Sequence, residues 1–206
     1  MHPKLEPLIQ SEVKKLLDAK IIFKVRHSKW VSNLVPVRKK SGELRLCVDF
    51  RNLNRVSDKD NYPIPPMEQI LQMVSSSELF SLLDRFSGYN QVLVAEEDKL
   101  KTIFRTKWGT FAYRRMPFGL INVGATFQRA MDIDFHGLIG HSVVVYLDDV
   151  TIFTKKREEH AFHLKQIFEH YRKYGISLNP KKCMFVIIEG RLLGHVVSKK
   201  GISIDP

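Results

Sequence analysis

The chain has 206 residues, enough for one large domain or two small ones with a real core. Its 44% hydrophobic fraction excludes a disordered chain. The 33 Lys+Arg against 22 Asp+Glu give a net charge of +11, which favours a polyanionic partner, either nucleic acid or an anionic membrane.

In chain order, residues 8–20 predict an amphipathic helix, with Ile9, Val13, Leu16 and Leu17 at helical spacing. Residues 30–37 predict a strand, and Pro36 places it at an edge or bulge. A basic turn, Arg38-Lys39-Lys40-Ser41-Gly42-Glu43, leads to a second strand over 44–50, making a hairpin with a basic tip. Residues 1–60 hold 14 Lys+Arg against 7 Asp+Glu, so +7 of the net charge lies here. Asn61-Tyr62-Pro63-Ile64-Pro65-Pro66 is an extended hinge candidate. A helix over 67–74, a strand over 79–83 running into Asp84, and short strands over 91–95 and 102–105 follow. After the breaker Met116-Pro117-Phe118-Gly119, a helix is predicted over 125–135. Residues 143–147 and 150–153 predict strands joined by an Asp148-Asp149 turn. A helix over 158–174 stops at Gly175, and strands near 184–187 and 192–197 close the chain. The irregular alternation and the two hairpins predict an α+β fold rather than a doubly wound parallel sheet.

Cys47 and Cys183 form no disulfide framework and no zinc spacing. No signal-peptide pattern and no apolar run of spanning length is present, so the expectation is a soluble, intracellular chain without a membrane partner. Neither cytoplasm nor nucleus is favoured.

The carboxylates carry the chemistry. Asp148 and Asp149 follow an apolar run with no basic neighbour until Lys155. Adjacent carboxylates repel, and drawing them into apolar surroundings calls for compensation, usually a divalent cation. The plainer reading is a solvated turn. Asp84 ends another apolar run, 64 positions earlier. Should the two strands be sheet neighbours, three hard oxygen donors converge in a manner suited to Mg²⁺. Two such ions about 3.5–4 Å apart suit in-line nucleotidyl transfer, one activating a primer 3′-hydroxyl and the other holding the triphosphate.

Tyr146-Leu147-Asp148-Asp149 matches the Y-x-D-D pattern of reverse transcriptases. Further blocks in the same order resemble those of gypsy-type LTR retrotransposons. They include Arg45-Leu46-Cys47-Val48-Asp49-Phe50-Arg51-Asn52-Leu53-Asn54, Tyr62-Pro63-Ile64-Pro65, Ser87-Gly88-Tyr89-Asn90-Gln91 and Met116-Pro117-Phe118-Gly119-Leu120. Ala125-Thr126-Phe127-Gln128-Arg129, Leu178-Asn179-Pro180-Lys181-Lys182-Cys183 and Leu193-Gly194-His195 continue the series.

The resemblance implies the fingers and palm of a right-hand polymerase, the palm an antiparallel sheet backed by helices, with the thumb and RNase H domains missing. Residues 1–58 and 92–122 would be fingers, and 59–91 and 123–206 palm. Asp84, Asp148 and Asp149 would be the catalytic, metal-binding triad, with Asp84 and Asp148 the main metal ligands, helped by the backbone carbonyl of Arg85. The incoming dNTP would meet Lys39 or Lys40, Arg45, Arg85, Phe86, Ser87, Gly88, Tyr89, Phe118 and Gly119. Tyr89 would stand as the gate against a 2′-hydroxyl. Tyr146 and Leu147 would touch nucleic acid, and Leu193, Gly194 and His195 would grip the primer. The implied cofactor is a pair of Mg²⁺ ions, with Mn²⁺ as a substitute. The implied partners are an RNA or DNA template, a DNA or tRNA-type primer, and dNTPs. Cytoplasmic virus-like particles and the nucleus both suit such an element.

Two positions depart from the family pattern. Arg85 replaces a small or apolar residue, which reads as a phosphate contact or as decay. Asp134 interrupts a helix where relatives tend to be apolar, and buried there unpaired it would be costly. The leading expectation is an RNA-directed DNA polymerase domain. The alternatives are a non-catalytic nucleic-acid-binding remnant and an RNA-directed RNA polymerase, against which Tyr89 speaks. Among the other side chains, Trp30, Phe50, Trp108 and Phe111 are aromatics among basic residues, most of them read as core, with base stacking as the alternative. His160 and His163 read as surface or helix-packing residues.

Overall fold

The computed structural model describes residues 5–38, 42, 44–85 and 88–205. It divides into two compact units, Met1–Lys59 with Tyr89–Val123, and Asp60–Gly88 with Gly124–Pro206. No helix among the described residues is long and apolar enough to cross a membrane.

The first unit is built on a five-stranded sheet. Helix α1 (Glu6–Asp18) buries Ile9 and Val13, as their helical spacing predicts. Strand β1 (Ile22–Val25) pairs antiparallel with β6 (Gly109–Tyr113), and β2 (Ser32–Arg38) with β3 (Leu44–Val48). Strand β5 (Phe104–Thr106) completes the order β1-β6-β5-β2-β3, with β2 and β5 parallel. Phe50, Phe104, Phe111 and Tyr113 fill the core under α1. The six-residue α2 (Arg51–Val56) follows β3. Asp49 accepts the Arg51 backbone N–H at 3.2 Å and the Arg51 Nε at 2.8 Å, and that guanidinium holds the Asp49 carboxyl down to about 2.

The strand predicted over 91–95 is absent. A 3₁₀ turn covers Gly88–Gln91 and the four-residue α4 covers Glu96–Lys99. A single bridge, Leu93 to Arg115, is all the pairing this apolar stretch makes. The sequence reading did not predict β1 and β6: Lys24 interrupts the apolar run of β1, and β6 opens on Gly109 and buries Phe111, Ala112 and Tyr113 in succession.

The second unit carries a fully antiparallel sheet in the order β7-β8-β4-β9. These are β7 (Val143–Tyr146), β8 (Asp149–Thr154), β4 (Leu79–Leu83) and β9 (Met184–Ile187). Helices α3 (Met67–Val74), α5 (Val123–Asp134) and α6 (His160–Tyr174) accompany it. Ile70, Leu71, Val74, Phe80, Val144 and Phe153 form one core. His160 is buried, with Ser81 Oγ at 2.8 Å from Nε2 and Thr154 Oγ1 at 2.9 Å from Nδ1, so it is a sheet-to-helix tie.

The strand predicted over 192–197 is in fact broken. Strands β10 (Glu189–Leu192), β11 (His195–Ser198) and β12 (Gly201–Ile204) make a separate three-stranded sheet. Leu192 pairs with His195, so Leu193 and Gly194 are a two-residue turn with φ of 50° and 74°. Positive φ at both positions matches the twist of a tight hairpin, which is why Gly194 sits there and not in a bulge.

Helix α6 ends on Gly175 at φ 67°, where the Ile176 N–H reaches Tyr171 O at 2.8 Å. A Cβ added at Gly175 meets open space, so Gly175→Ala pays only the backbone penalty. We expect about 1 kcal/mol lost, read as a lower denaturant midpoint with an unchanged slope.

Candidate active site

Sheet register builds the site. Leu83 at the end of β4 pairs with Val150 of β8. The next residue along β4 is Asp84, and the residue before Val150 is Asp149, so the antiparallel register brings both to one end of the sheet. They line a common cleft of about 180 Å³ together with Thr151, Lys182 and Arg191. Burial pushes the Asp149 carboxyl up, the Asp84 charge pushes it further, and Arg85 partly offsets both. The Lys182 ammonium lies 3.2 Å from Asp84 Oδ2. Asn179 N donates to Asp84 O at 2.9 Å, tying the loop that carries Lys182 to the end of β4.

The β7–β8 connection corrects the predicted Asp148-Asp149 turn. Tyr146 pairs with Asp149, so the two turn residues are Leu147 and Asp148, and Asp149 opens a strand. A two-residue hairpin turn demands positive φ, and Leu147 supplies it at 51°. For a leucine this costs about 1–2 kcal/mol. Both of its backbone groups are held by side chains. Its N–H donates to Gln128 Oε1 at 3.0 Å, and its carbonyl accepts from Arg85 Nη2 at 2.8 Å. Gln128 is itself fixed, donating to Asp132 Oδ1 at 3.0 Å, and Asp132 Oδ2 accepts the Tyr62 hydroxyl at 2.7 Å. The Asp148 carboxylate lies against Gly88, where a Cβ would come within 2.7 Å of Oδ1.

Arg85 is corrected as a phosphate contact. Its side chain is 5% exposed, its guanidinium covers the Phe127 ring at 4.0 Å, and Nη1 meets Met131 Sδ. Its carbonyl accepts the Gly88 N–H at a long 3.5 Å. Asp134 does not interrupt a helix. It is the last residue of α5, half-buried, and burial raises its carboxyl more than His170, Arg85 and Lys173 lower it.

Of the predicted metal contacts, Asp84 and Asp149 share the cleft, whereas Asp148 stands at the hairpin tip. No trio of His, Cys, Asp or Glu among the described residues is gathered closely enough to hold an ion. The cleft pair nevertheless fits Mg²⁺, which takes one or two carboxylates and fills its other positions with water and phosphate oxygens. The Asp84 charge acting on Asp149 is the repulsion a dication relieves.

The remaining predicted residues fall in separate places. In the first unit, the Arg45 guanidinium lies 5.0 Å from the Phe118 ring centroid. Tyr89, 8% exposed, meets the same ring edge-on at 4.9 Å. Phe118 itself is 39% exposed. Gly119 has φ 96°, and its carbonyl accepts from Asn54 Nδ2 at 2.8 Å while Asn54 Oδ1 takes the Ile121 N–H. In the second unit, Leu193 and Gly194 form the β10–β11 turn and His195 opens β11, with His195 Nδ1 donating to Leu193 O at 3.0 Å. Lys39, Lys40, Phe86 and Ser87 lie outside the described residues.

Sequence reading missed Gln128, Asn54 and Lys182 as site residues. All three stand inside recognised blocks, so the signal was present, but their partners are distant in sequence.

A family model described as "Reverse transcriptase (RNA-dependent DNA polymerase)" matches residues 37–197. The Pol polyprotein of transposon 297 of Drosophila melanogaster is 37% identical over 86% of this chain, which spans 17% of that protein. The gypsy Pol polyprotein of the same organism is 35% identical over 96% of the chain, 20% of that protein. The Tf2-3 polyprotein of Schizosaccharomyces pombe is 33% identical over 87% of the chain, 14% of that protein. The chain thus spans a fifth or less of these relatives. In fold, it superposes on a foamy viral protease-reverse transcriptase in complex with an RNA/DNA hybrid. That match has a TM-score of 0.89 and 22% identity, over 99% of this chain and 27% of the other. With its paired strand-end carboxylates, its antiparallel sheet backed by helices and its match over most of its length, the chain belongs to the reverse transcriptase family of LTR retrotransposons.

Proposed function

We propose that the chain is the RNA-directed DNA polymerase domain of a retrotransposon polyprotein, adding dNTPs to a primer 3′-hydroxyl on an RNA or DNA template. The observation that carries this reading is the cleft in which Asp84 and Asp149 meet at the end of two neighbouring strands. In this reading, residues 1–58 and 92–122 are fingers, and 59–91 and 123–206 are palm. Asp84, Asp148 and Asp149 hold divalent ions, Mg²⁺ or Mn²⁺, with the Arg85 carbonyl as a further donor. When bound, these ions activate the 3′-hydroxyl and neutralise charge developing on the leaving pyrophosphate.

The chain's own groups do the rest. Arg45, held over Phe118, presents a planar fork suited to phosphate oxygens. Phe118, exposed and braced by Tyr89, offers a stacking face for a base. Tyr89, nearly buried, serves as the rigid wall that leaves no room for a 2′-hydroxyl. Leu193 and Gly194 form the tight turn that, with His195, supports the primer end. The net charge of +11 attracts the duplex backbone, and grip beyond the catalytic cleft falls to other parts of a longer polyprotein.

Asp148→Asn should lower single-nucleotide extension of a primed RNA template by at least about 10³-fold while leaving the circular dichroism spectrum unchanged. Retained extension would remove Asp148 from the triad, and extension by neither protein would favour the non-catalytic remnant. Tyr89→Ala should raise the use of a ribonucleotide relative to its deoxy counterpart by about tenfold or more, a change of about 1.4 kcal/mol in selectivity. Unchanged sugar discrimination would take the gate away from Tyr89. Affinity for a primed duplex should fall by about tenfold or more between 50 and 200 mM salt, and a flat response would rule out binding through phosphates.

A further inference from the structure

Leu147 sits at φ 51° on the turn that joins two of the carboxylates, a conformation leucine does not favour. Strain of this kind persists only where surroundings over-determine it. Two side chains from different elements do so here, Gln128 of α5 at the N–H and Arg85 at the carbonyl.

Arg85 is the less expected of the two. It immediately follows Asp84, and its guanidinium is buried beneath the turn rather than turned to solvent. Phe127 lies under its plane at 4.0 Å, Met131 Sδ takes one arm, and Leu147 O takes the other at 2.8 Å. A cation enclosed by an aromatic face, a thioether and a carbonyl has its orientation fixed by all three. Its bond to Leu147 O links the strand carrying Asp84 to the turn carrying Asp148.

We infer that Arg85 is a positioning residue, holding the Leu147–Asp148 turn so that the carboxylates on β4 and on the hairpin keep one mutual geometry. The role rests on the reading of these carboxylates as metal ligands. The Arg85 side chain touches neither substrate nor metal in this scheme, in which only the backbone carbonyl of the residue is a metal donor. It acts through the Leu147 carbonyl.

The test needs no catalysis. Amide hydrogen exchange on the full chain is compared between wild type and Arg85→Met. The amides of Leu147 and Asp149 should exchange about tenfold faster or more, relative to Val144 and Ile152 of the same hairpin. Adding Leu147→Gly, which relieves the positive φ, should restore most of that protection. Mn²⁺ binding by electron paramagnetic resonance should weaken about tenfold in Arg85→Met and recover in the double variant.

Protection lost evenly over the whole unit, or a turn no faster than wild type, would overturn the inference. So would a loosened turn with unchanged Mn²⁺ affinity. Should Arg85→Met fail to fold, Arg85→Lys, which keeps the charge but not the fork, carries the same comparison. Wild type with Asp148→Asn and Asp149→Asn checks the underlying reading. Mn²⁺ affinity indifferent to both would overturn the metal assignment, and the inference with it, independently of the exchange data.

Discussion

The site hangs on the pairing of Tyr146 with Asp149. That one register decides which of two neighbouring aspartates is strand and which is turn. Along a strand, successive side chains point to opposite faces, so a slip by one residue would exchange the surroundings of both carboxylates. With the register as it is, Asp149 lines the cleft beside Asp84, and Asp148 stands at the tip against Gly88. Two residues that look equivalent in the sequence therefore meet different fields. The price is a leucine at positive φ, and the packing of α5 and of residue 85 under the turn offsets it.

The register also explains why glycine is needed at position 88. An added Cβ would run into Asp148 Oδ1 at 2.7 Å, and the residue already stands at φ 20°. Any side chain there would move either the backbone after β4 or the carboxylate, and both belong to the site. Gly119 plays a comparable part in the first unit. Its φ of 96° makes the turn after Phe118, and the two bonds from Asn54 fix that turn from the far side. Both glycines stand at positive φ beside a candidate site side chain.

Much of this was legible in the sequence. The helix at Met67–Val74 and the strand at Leu79–Leu83 emerge with the predicted bounds: the helix begins after Pro65-Pro66, and the strand is a short apolar run that ends at Asp84. The convergence of Asp84 with the hairpin was readable only as a condition, since strand adjacency is a long-range property. The Leu147–Asp148 turn was misplaced by one residue because turn preferences favour Asp over Leu. The strain that puts a leucine there is stabilised by Gln128 and Arg85, which no local rule reports. Arg85 was misjudged for the same reason. In the sequence it reads as a phosphate contact or as decay, and only the aromatic ring and thioether brought by α5 show it buried.

Three cations lie close to the carboxylates, and their settings separate their roles. Arg191 lines the cleft, but its Nε is 3.2 Å from Asp205. Lys182 meets Asp84 where both side chains reach water, so their ion pair contributes little and can be given up when a stronger counter-ion arrives. Arg85 is enclosed, and removing it would strip the part-buried Leu147 carbonyl of its donor and Phe127 of its cation. An exposed lysine can therefore act as a removable counter-ion for the Asp84 carboxylate. A buried arginine cannot leave, and its charge lowers the cost of keeping Asp149 ionised whether or not the cleft is filled. The same sign of charge thus serves exchange at Asp84 and permanence beneath the turn, and the difference between them is access to solvent.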